Sequence, residues 1–258
     1  MNILITNDDG IHADGLLALK SAFDEIGKVY VVAPDRPRSA CGHSITLHKP
    51  LRADRVRLRD GSIAYATNGT PSDCVSLAML GVVEEQVDLV VSGINRGPNL
   101  GWDLTYSGTV SAAMEGAIMG VQSMAISVAT YSNEVEYAVA AALAVQLGRI
   151  LQSHRLPEST LLNVNVPNLP TRQIKGIAVT KQGKRRYGGN IEKRTDPMGR
   201  DYYWLGGDDP VDSLDEGTDV KAIADDWVSI TPVHLDLTDY SAIADVRAWG
   251  VEQIQLID

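Results

Sequence analysis

The sequence predicts an α/β protein: a Rossmann-like, mostly parallel sheet with helices on both faces, plus a smaller C-terminal β region with a projecting hairpin. Three observations carry that expectation. Across the first 165 residues, short uninterrupted apolar runs alternate with stretches of helical periodicity. Strands apolar at every position are buried on both faces, as in parallel sheets covered by crossover helices. Beyond residue 170 the texture turns to alternating residues rich in Gly, Lys and Arg, the pattern of half-exposed strands. The chain then divides into a core over 1–168 and a C-terminal hairpin, strand and tail over 169–258.

In order, "NILIT" is the first buried strand. "DGLLALKSAFDEIG" sets Leu16, Leu19, Phe23 and Ile26 on one helical face, with Gly27 as its stop. "KVYVVAPD" is the second strand, and alternation in "LRADRVRLR" and "SIAYAT" predicts an exposed hairpin or edge pair. Helices are expected over 71–81, 109–120 and 134–152, separated by the strands "VDLVVSG" and "QSMAISVA" and followed by "TLLNVNVP". From 173 to 207 the alternating stretch reads as a hairpin with a long tip. An acidic loop over 207–226 follows, with a short helix at its end, then the strand "WVSITPVHLDL" and a helix over 241–249. The hairpin has too few long apolar residues for a core of its own, so it is expected to project and pack on another subunit.

Bulk composition narrows the function. The 258 residues carry 23 basic and 33 acidic side chains, a net charge of −10. That argues against a sequence-independent grip on duplex nucleic acid, which needs a surplus of Lys and Arg. Cys41 and Cys74 are too few for a disulfide framework and fit no zinc spacing. A first strand at residue 2 leaves no room for a signal peptide, and no run of 18 apolar residues would span a membrane. The expectation is a soluble, cytoplasmic protein with reduced thiols and no membrane partner.

In a doubly wound sheet, ligands lie beyond the carboxyl ends of the strands, so the residues that follow each core strand are the ones to read. The first strand runs into "NDDG", which sets Asp8 and Asp9 side by side. The second runs into "APDRPRSACGHS", and the "VDLVVSG" strand into "INRGPNLGWDLTYSGT". These are carboxylates, hydroxyls and amides, the oxygen donors that hard cations such as Mg²⁺ or Mn²⁺ prefer. One divalent cation would keep two adjacent carboxylates ionised. The alternative is that one aspartate caps the next helix while the other is solvated.

The third loop is the more informative. From 93 to 108 it is glycine-rich and aperiodic, and a segment of that kind inside a compact domain is usually functional. It ends in "YSGTVSAAMEG", where Ser107, Gly108 and Thr109 lead into a helix of small residues. Such an N-terminus is a ready phosphate site, or else an ordinary hydroxyl cap. The P-loop, the G-x-G-x-x-G fingerprint and H-E-x-x-H are all absent. "TPSD" reads as a structural capping box. Among the five histidines, His12 and His43 lie in site-facing loops, and His234 is a candidate for protonating a leaving group. His48 and His154 read as structural, and each of the others reads equally well as a hydrogen-bonded structural imidazole.

"ILITNDDG", "VVAPDRPRSA", "GTPSDCV", "VVSGINRGPNLGWDLTYSGTVSAAMEG", "LLNVNVP" and "GTDVKAIADDWVSITPVHLDLT" together, in order and nearly end to end, resemble the SurE family of survival proteins. Those are metal-dependent phosphatases acting on nucleoside monophosphates. The resemblance implies a Rossmann-like core and a C-terminal hairpin and tail used in assembly. It implies one divalent cation per subunit, held by Asp8, Asp9, Ser39 and Asn95, with the substrate phosphate near Asn95, Asn99, Ser107, Gly108 and Thr109. "RSACGHS" departs from the family habit of Gly after the loop serine, so Ala40, Cys41 and His43 bear on selectivity or rate. The expected reaction is hydrolysis of a nucleoside monophosphate, with 3′ esters and longer phosphate chains left open as further substrates. Asp8 and Asp9 are the candidate catalytic pair, and Asp9 is the choice for orienting the attacking water. Two rivals remain at this stage: Asp8 as a covalent nucleophile, and a nucleotide- and metal-sensing module without turnover.

Overall fold

Apolar alternation in the first strand already sets the layers, because Ile3 and Ile5 belong to one face of a sheet and Leu4 to the other. The computed structural model describes residues 1–206 and 211–255, so positions 207–210 of the expected acidic loop lie outside the described residues. In chain order the core contains β1 (Asn2–Thr6), α1 (Asp14–Phe23), β2 (Lys28–Pro34), β3 (Ala53–Arg57), β4 (Ile63–Thr67) and α2 (Pro71–Leu77). It continues through β5 (Leu89–Arg96), α3 (Gly108–Ile118), β6 (Gln122–Ala129), α4 (Tyr137–Ser153) and β7 (Thr160–Pro167). Six strands in the order β4-β2-β1-β5-β6-β7 run parallel, and β3 closes one edge antiparallel to β4, as the alternation there predicts.

Ile3 and Ile5 pack with Leu16, Leu19 and Phe23 of α1 and with Ala140, Ala144 and Leu147 of α4. Leu4 and Val90 face Val75 of α2 and Ala112 of α3. Helices therefore cover both faces. α2 starts on the capping box read from the sequence: Asp73 N–H donates to Thr70 Oγ1, Thr70 N–H donates to the Asp73 carboxylate, and Pro71 occupies the first turn. It is shorter than expected and passes into a π-turn at Ala78–Val82.

The remainder comprises β8 (Gly176–Val179), β9 (Lys184–Arg186), β10 (Asn190–Thr195), β11 (Asp201–Gly206), β12 (Val211–Ser213), α5 (Asp219–Ala224), β13 (Trp227–His234) and α6 (Ala242–Ala248). Here the single long hairpin expected over 173–207 gives way to three separate pieces. β8 pairs in parallel with β13, β9 pairs with β12, and β10 and β11 form the projecting two-stranded ribbon. Alternation identifies strands but not partners, and β8 finds its partner about fifty residues on. β13 adds antiparallel to β7, so β13 and β8 complete a nine-stranded sheet that crosses the boundary expected at 168. Among the described residues no helix is long and apolar enough to cross a membrane.

Candidate active site

β2, β1 and β5 are adjacent, so the three loops that follow them leave the sheet side by side. Asn7 fixes the first. Its side chain donates to Gly10 O at 3.0 Å and accepts from Gly10 N–H at 3.1 Å, which folds "NDDG" into a closed turn. α1 instead has Ala13 at its N-cap, with no side-chain cap. Neither aspartate is therefore used to cap it. The second loop is stitched to the first by Arg38 N–H donating to Asp8 O at 2.7 Å and Ile11 N–H donating to Pro34 O at 2.8 Å. Ser39, next to Arg38, is exposed, with no hydrogen bond on its hydroxyl among the described residues.

The third loop starts with a register irregularity between Ser92 and Asn95 in the pairing of β5 with β6. Irregularities of this kind re-aim side chains near active sites. Asn95 Nδ2 donates to Gly97 O at 2.8 Å, which leaves its Oδ1 as a free acceptor, and Arg96 N–H donates to Asp9 Oδ2 at 3.2 Å. At the loop's far end, Thr109 Oγ1 donates to Asp8 Oδ1 at 2.6 Å, and Ser107 Oγ accepts from Val110 N–H at 3.1 Å as the cap of α3. The N–H groups of Gly108 and Thr109 make no backbone hydrogen bond, as expected for the first turn of a helix. A Cβ on Gly108 would stand 2.8 Å from Asp8 Cβ and 3.1 Å from Cys41 Sγ. All three strand ends and the start of α3 thus meet around Asp8.

The electrostatics are those of an acidic pair short of positive charge. Asp8 is 5% exposed. Burial, reinforced by the charge on Asp9, pushes its carboxyl up to about 6 against the opposing Thr109 hydrogen bond. Burial also raises Asp9, although Arg96 works the other way. Among the described residues no Lys, Arg or His side chain forms an ion pair with either. A buried carboxylate, a half-buried one beside it, and an amide oxygen and a hydroxyl on the adjoining loops are all oxygen donors, the chemistry a hard divalent cation prefers. Burial raises the Cys41 thiol beside it as well, with the Asp8 charge adding to the effect.

Other expected residues land differently. Asn99 is buried and held on every side: its N–H donates to Asn165 Oδ1, its Nδ2 to Ser127 Oγ, and its C=O accepts from Asn163 and Asn165. His43 Nε2 lies 2.9 Å from Glu115 Oε2, tying the second loop to α3. His12 is exposed. His234 is not brought to the cluster. It pairs with Thr160, at the amino end of β7, because β13 runs antiparallel to its neighbour. That sets it at the opposite edge of the sheet from the three loops, and a role in protonating a leaving group within one chain is corrected accordingly. Residues absent from the sequence reading also reach the third loop, among them Gln182 and Asp219 at Gly101 and Arg185 and Tyr187 at Asp103. The Thr-Asp pair opening α5 was the available signal for Asp219.

Comparison with known proteins shows the family. The family model for survival protein SurE matches residues 3–189. A 5′-nucleotidase SurE from Geobacter sulfurreducens is 51% identical over 251 residues, covering 97% of this chain and 94% of its own. Another 5′-nucleotidase SurE, from Heliobacterium modesticaldum, is 51% identical over 250 residues, covering 96% of this chain and 92% of its own. The crystal structure of the SurE protein from Aquifex aeolicus aligns with a TM-score of 0.83 at 41% identity, over 97% of this chain and 100% of that one. From its strand-end loops to its full-length relatives, this chain belongs to the SurE family.

Proposed function

We propose that this protein is a divalent-cation-dependent nucleotidase that hydrolyses nucleoside 5′-monophosphates to nucleoside and phosphate. Relatives that align along nearly its whole length carry the name 5′-nucleotidase. The observation that carries the reading is the adjacent Asp8–Asp9 pair, with Asp8 buried, short of cationic partners and joined through Thr109 to the N-terminus of α3. Asp8, Asp9, Ser39 and Asn95 would hold one Mg²⁺ or Mn²⁺. When bound, the cation supplies positive charge beside the phosphoryl group and favours loss of a proton from water.

The chain's own groups do the rest. The amides of Gly108 and Thr109 and the Ser107 hydroxyl, gathered at the start of α3, would receive phosphate oxygens, where the helix dipole adds to their pull. Donors already fixed by capping cost no reorganisation as charge builds in the transition state. Asp8 has one oxygen committed to Thr109. Asp9 keeps Oδ1 unshared while Arg96 N–H fixes its Oδ2, so Asp9 is assigned to orient the attacking water. The same site is open to 3′-nucleotides and to the ends of polyphosphate, which belong in the substrate panel.

Phosphate release from a panel of nucleoside monophosphates, with Mg²⁺ and Mn²⁺ in turn, tests the reading. We expect turnover that chelation abolishes, and a loss of at least about 10²-fold in kcat for Asp8→Asn and for Asp9→Asn. Full activity in both variants overturns the assignment. Nucleotide binding with no phosphate released would instead favour a sensing module, and an acid-labile phosphoenzyme would favour Asp8 as a nucleophile.

A further inference from the structure

The stretch leading to the phosphate-facing turn is held from outside the core strands. Gly101 stands at φ +55°, in the left-handed region, and both polar groups of its backbone are taken by side chains. Its N–H donates to Asp219 Oδ2 at 2.8 Å, and its C=O accepts from Gln182 Nε2 at 2.8 Å. Asp219 is fully buried. Its other oxygen accepts from Gly183 N–H at 2.7 Å and Val220 N–H at 2.8 Å. Charge-assisted hydrogen bonds of this kind are the strong ones, and here they join the turn before β9, α5 and the glycine-rich loop at one point.

Two residues further on, the carboxylate of Asp103 accepts from Tyr187 OH at 2.7 Å and from Arg185 Nη1 at 3.3 Å. Arg185 is itself held in a fork by Asp212, at 2.7 and 2.9 Å. The backbone of Asp103 then accepts from Tyr106 N–H at 3.0 Å and Ser107 N–H at 3.1 Å. A continuous set of hydrogen bonds therefore runs from Asp219 and Gln182 to the cap of α3.

We propose that Asp219 and Gln182 are positioning residues for phosphate recognition: by holding both sides of Gly101 they fix the turn that presents Ser107, Gly108 and Thr109. Asp219 lies beyond residues 3–189, the span matched by the family model, and both side chains act on the loop through Gly101. The catalytic consequence rests on the nucleotidase reading, whereas the ordering of the loop does not.

Two variants separate these roles. Gln182→Glu keeps the shape but turns an acceptor toward the Gly101 carbonyl. Asp219→Asn loses one of the two accepting oxygens. Amide hydrogen exchange over 97–109 is measured on each, together with kinetics on a nucleoside 5′-monophosphate and competitive inhibition by inorganic phosphate. Exchange is expected to quicken about tenfold, the worth of roughly one hydrogen bond. KM for the nucleotide and Ki for inorganic phosphate should rise together by a similar factor, because both dock the same group. A merely structural role lowers the active fraction, and so the apparent kcat, while leaving KM and Ki in place. That outcome, or unchanged exchange in the loop, overturns the proposal. Should Asp219→Asn not fold, Gln182→Glu, at a surface position, decides alone. If the wild type releases no phosphate, the nucleotidase reading fails, and exchange with calorimetric affinity for inorganic phosphate still judges the positioning.

Discussion

Gly108 concentrates the residue-scale argument. It opens α3, where Gly costs a helix about 1 kcal/mol relative to Ala, so replacing it should on propensity grounds stabilise the protein. The space denies this, since an added Cβ would lie 2.8 Å from Asp8 Cβ and 3.0 Å from Asp8 Oδ2. Asp8 is short and held by Thr109, so it cannot swing away cheaply, and overpacking costs about 1–3 kcal/mol. The net expectation for Gly108→Ala is a loss of about 1 kcal/mol in unfolding free energy. On the nucleotidase reading its activity should fall about 10²-fold, because it would displace both Asp8 and the amide assigned to the phosphate. Urea unfolding beside kcat/KM checks both, and a fully active variant would show that the α3 turn does not need to approach Asp8 so closely. Cys41 contributes to the same crowding, as its Sγ would lie 3.1 Å from that Cβ.

At the scale of elements, α1 and the β3–β4 turn are joined through Lys20 and Asp60, 2.8 Å apart, with Lys20 also reaching Asp24 at 2.6 Å. The Lys20 hydrogen bond holds the Asp60 carboxyl down at about 2, helped by Ser62. A carboxyl whose folded value lies below its unfolded one stabilises the fold above the unfolded value, near 4, and loses that contribution as pH falls toward 2. Asp60→Asn should therefore cost about 1 kcal/mol at neutral pH, discounted for solvent screening of a surface pair. The difference from wild type should shrink steadily below about pH 4. Unfolding midpoints at pH 7 and pH 3 read this directly, and a constant difference would mean that the pair does not link the two elements.

The same scale shows where the sequence was legible. β1, β2 and β5 were readable because buried strands leave an unbroken apolar run, and Asp8 and Asp9 stand out on reading past the first, whereas Ser39 and Asn95 join them only through the family resemblance. What local pattern could not supply was partners and direction. Asn99 meets Asn165 across 66 positions and Gly101 meets Asp219 across 118, pairings that exist only once β7 and α5 are in place. His234 looked comparable to residues at the other strand ends, but β13 runs against β7, so its end faces the opposite edge. His43 was correctly placed in a site-facing loop, while its partner Glu115 lies on a helix whose small residues drew attention to its first turn instead.

For the molecule as a whole, the C-terminal region poses a problem of cover. β10 and β11 pair only with one another among the described residues, and a two-stranded ribbon alone is marginal in water. Ile191, Tyr203 and Trp204 are each about 60% exposed on it, and Leu237, Tyr240 and Trp249 are exposed along the tail. Scattered apolar residues are ordinary on a surface, but aromatic side chains gathered on an unsupported ribbon mark a surface used for binding. We expect a second copy of this chain to supply the cover, giving a homodimer or homotetramer despite a net charge of −10 that opposes close approach. The ribbon leaves the fold through β9 and returns through β12, and Arg185 and Asp212 bridge those strands beside the glycine-rich loop. The base of the ribbon and the glycine-rich loop therefore share a foundation in Arg185. Sedimentation equilibrium at micromolar concentration should give a dimer or tetramer. Replacing Tyr202 and Trp204 together by Glu should weaken association at least about 10²-fold, as loss of buried aromatic anchors does elsewhere. A wild-type protein that sediments as a monomer would leave the ribbon uncovered and remove the reason for its aromatic surface.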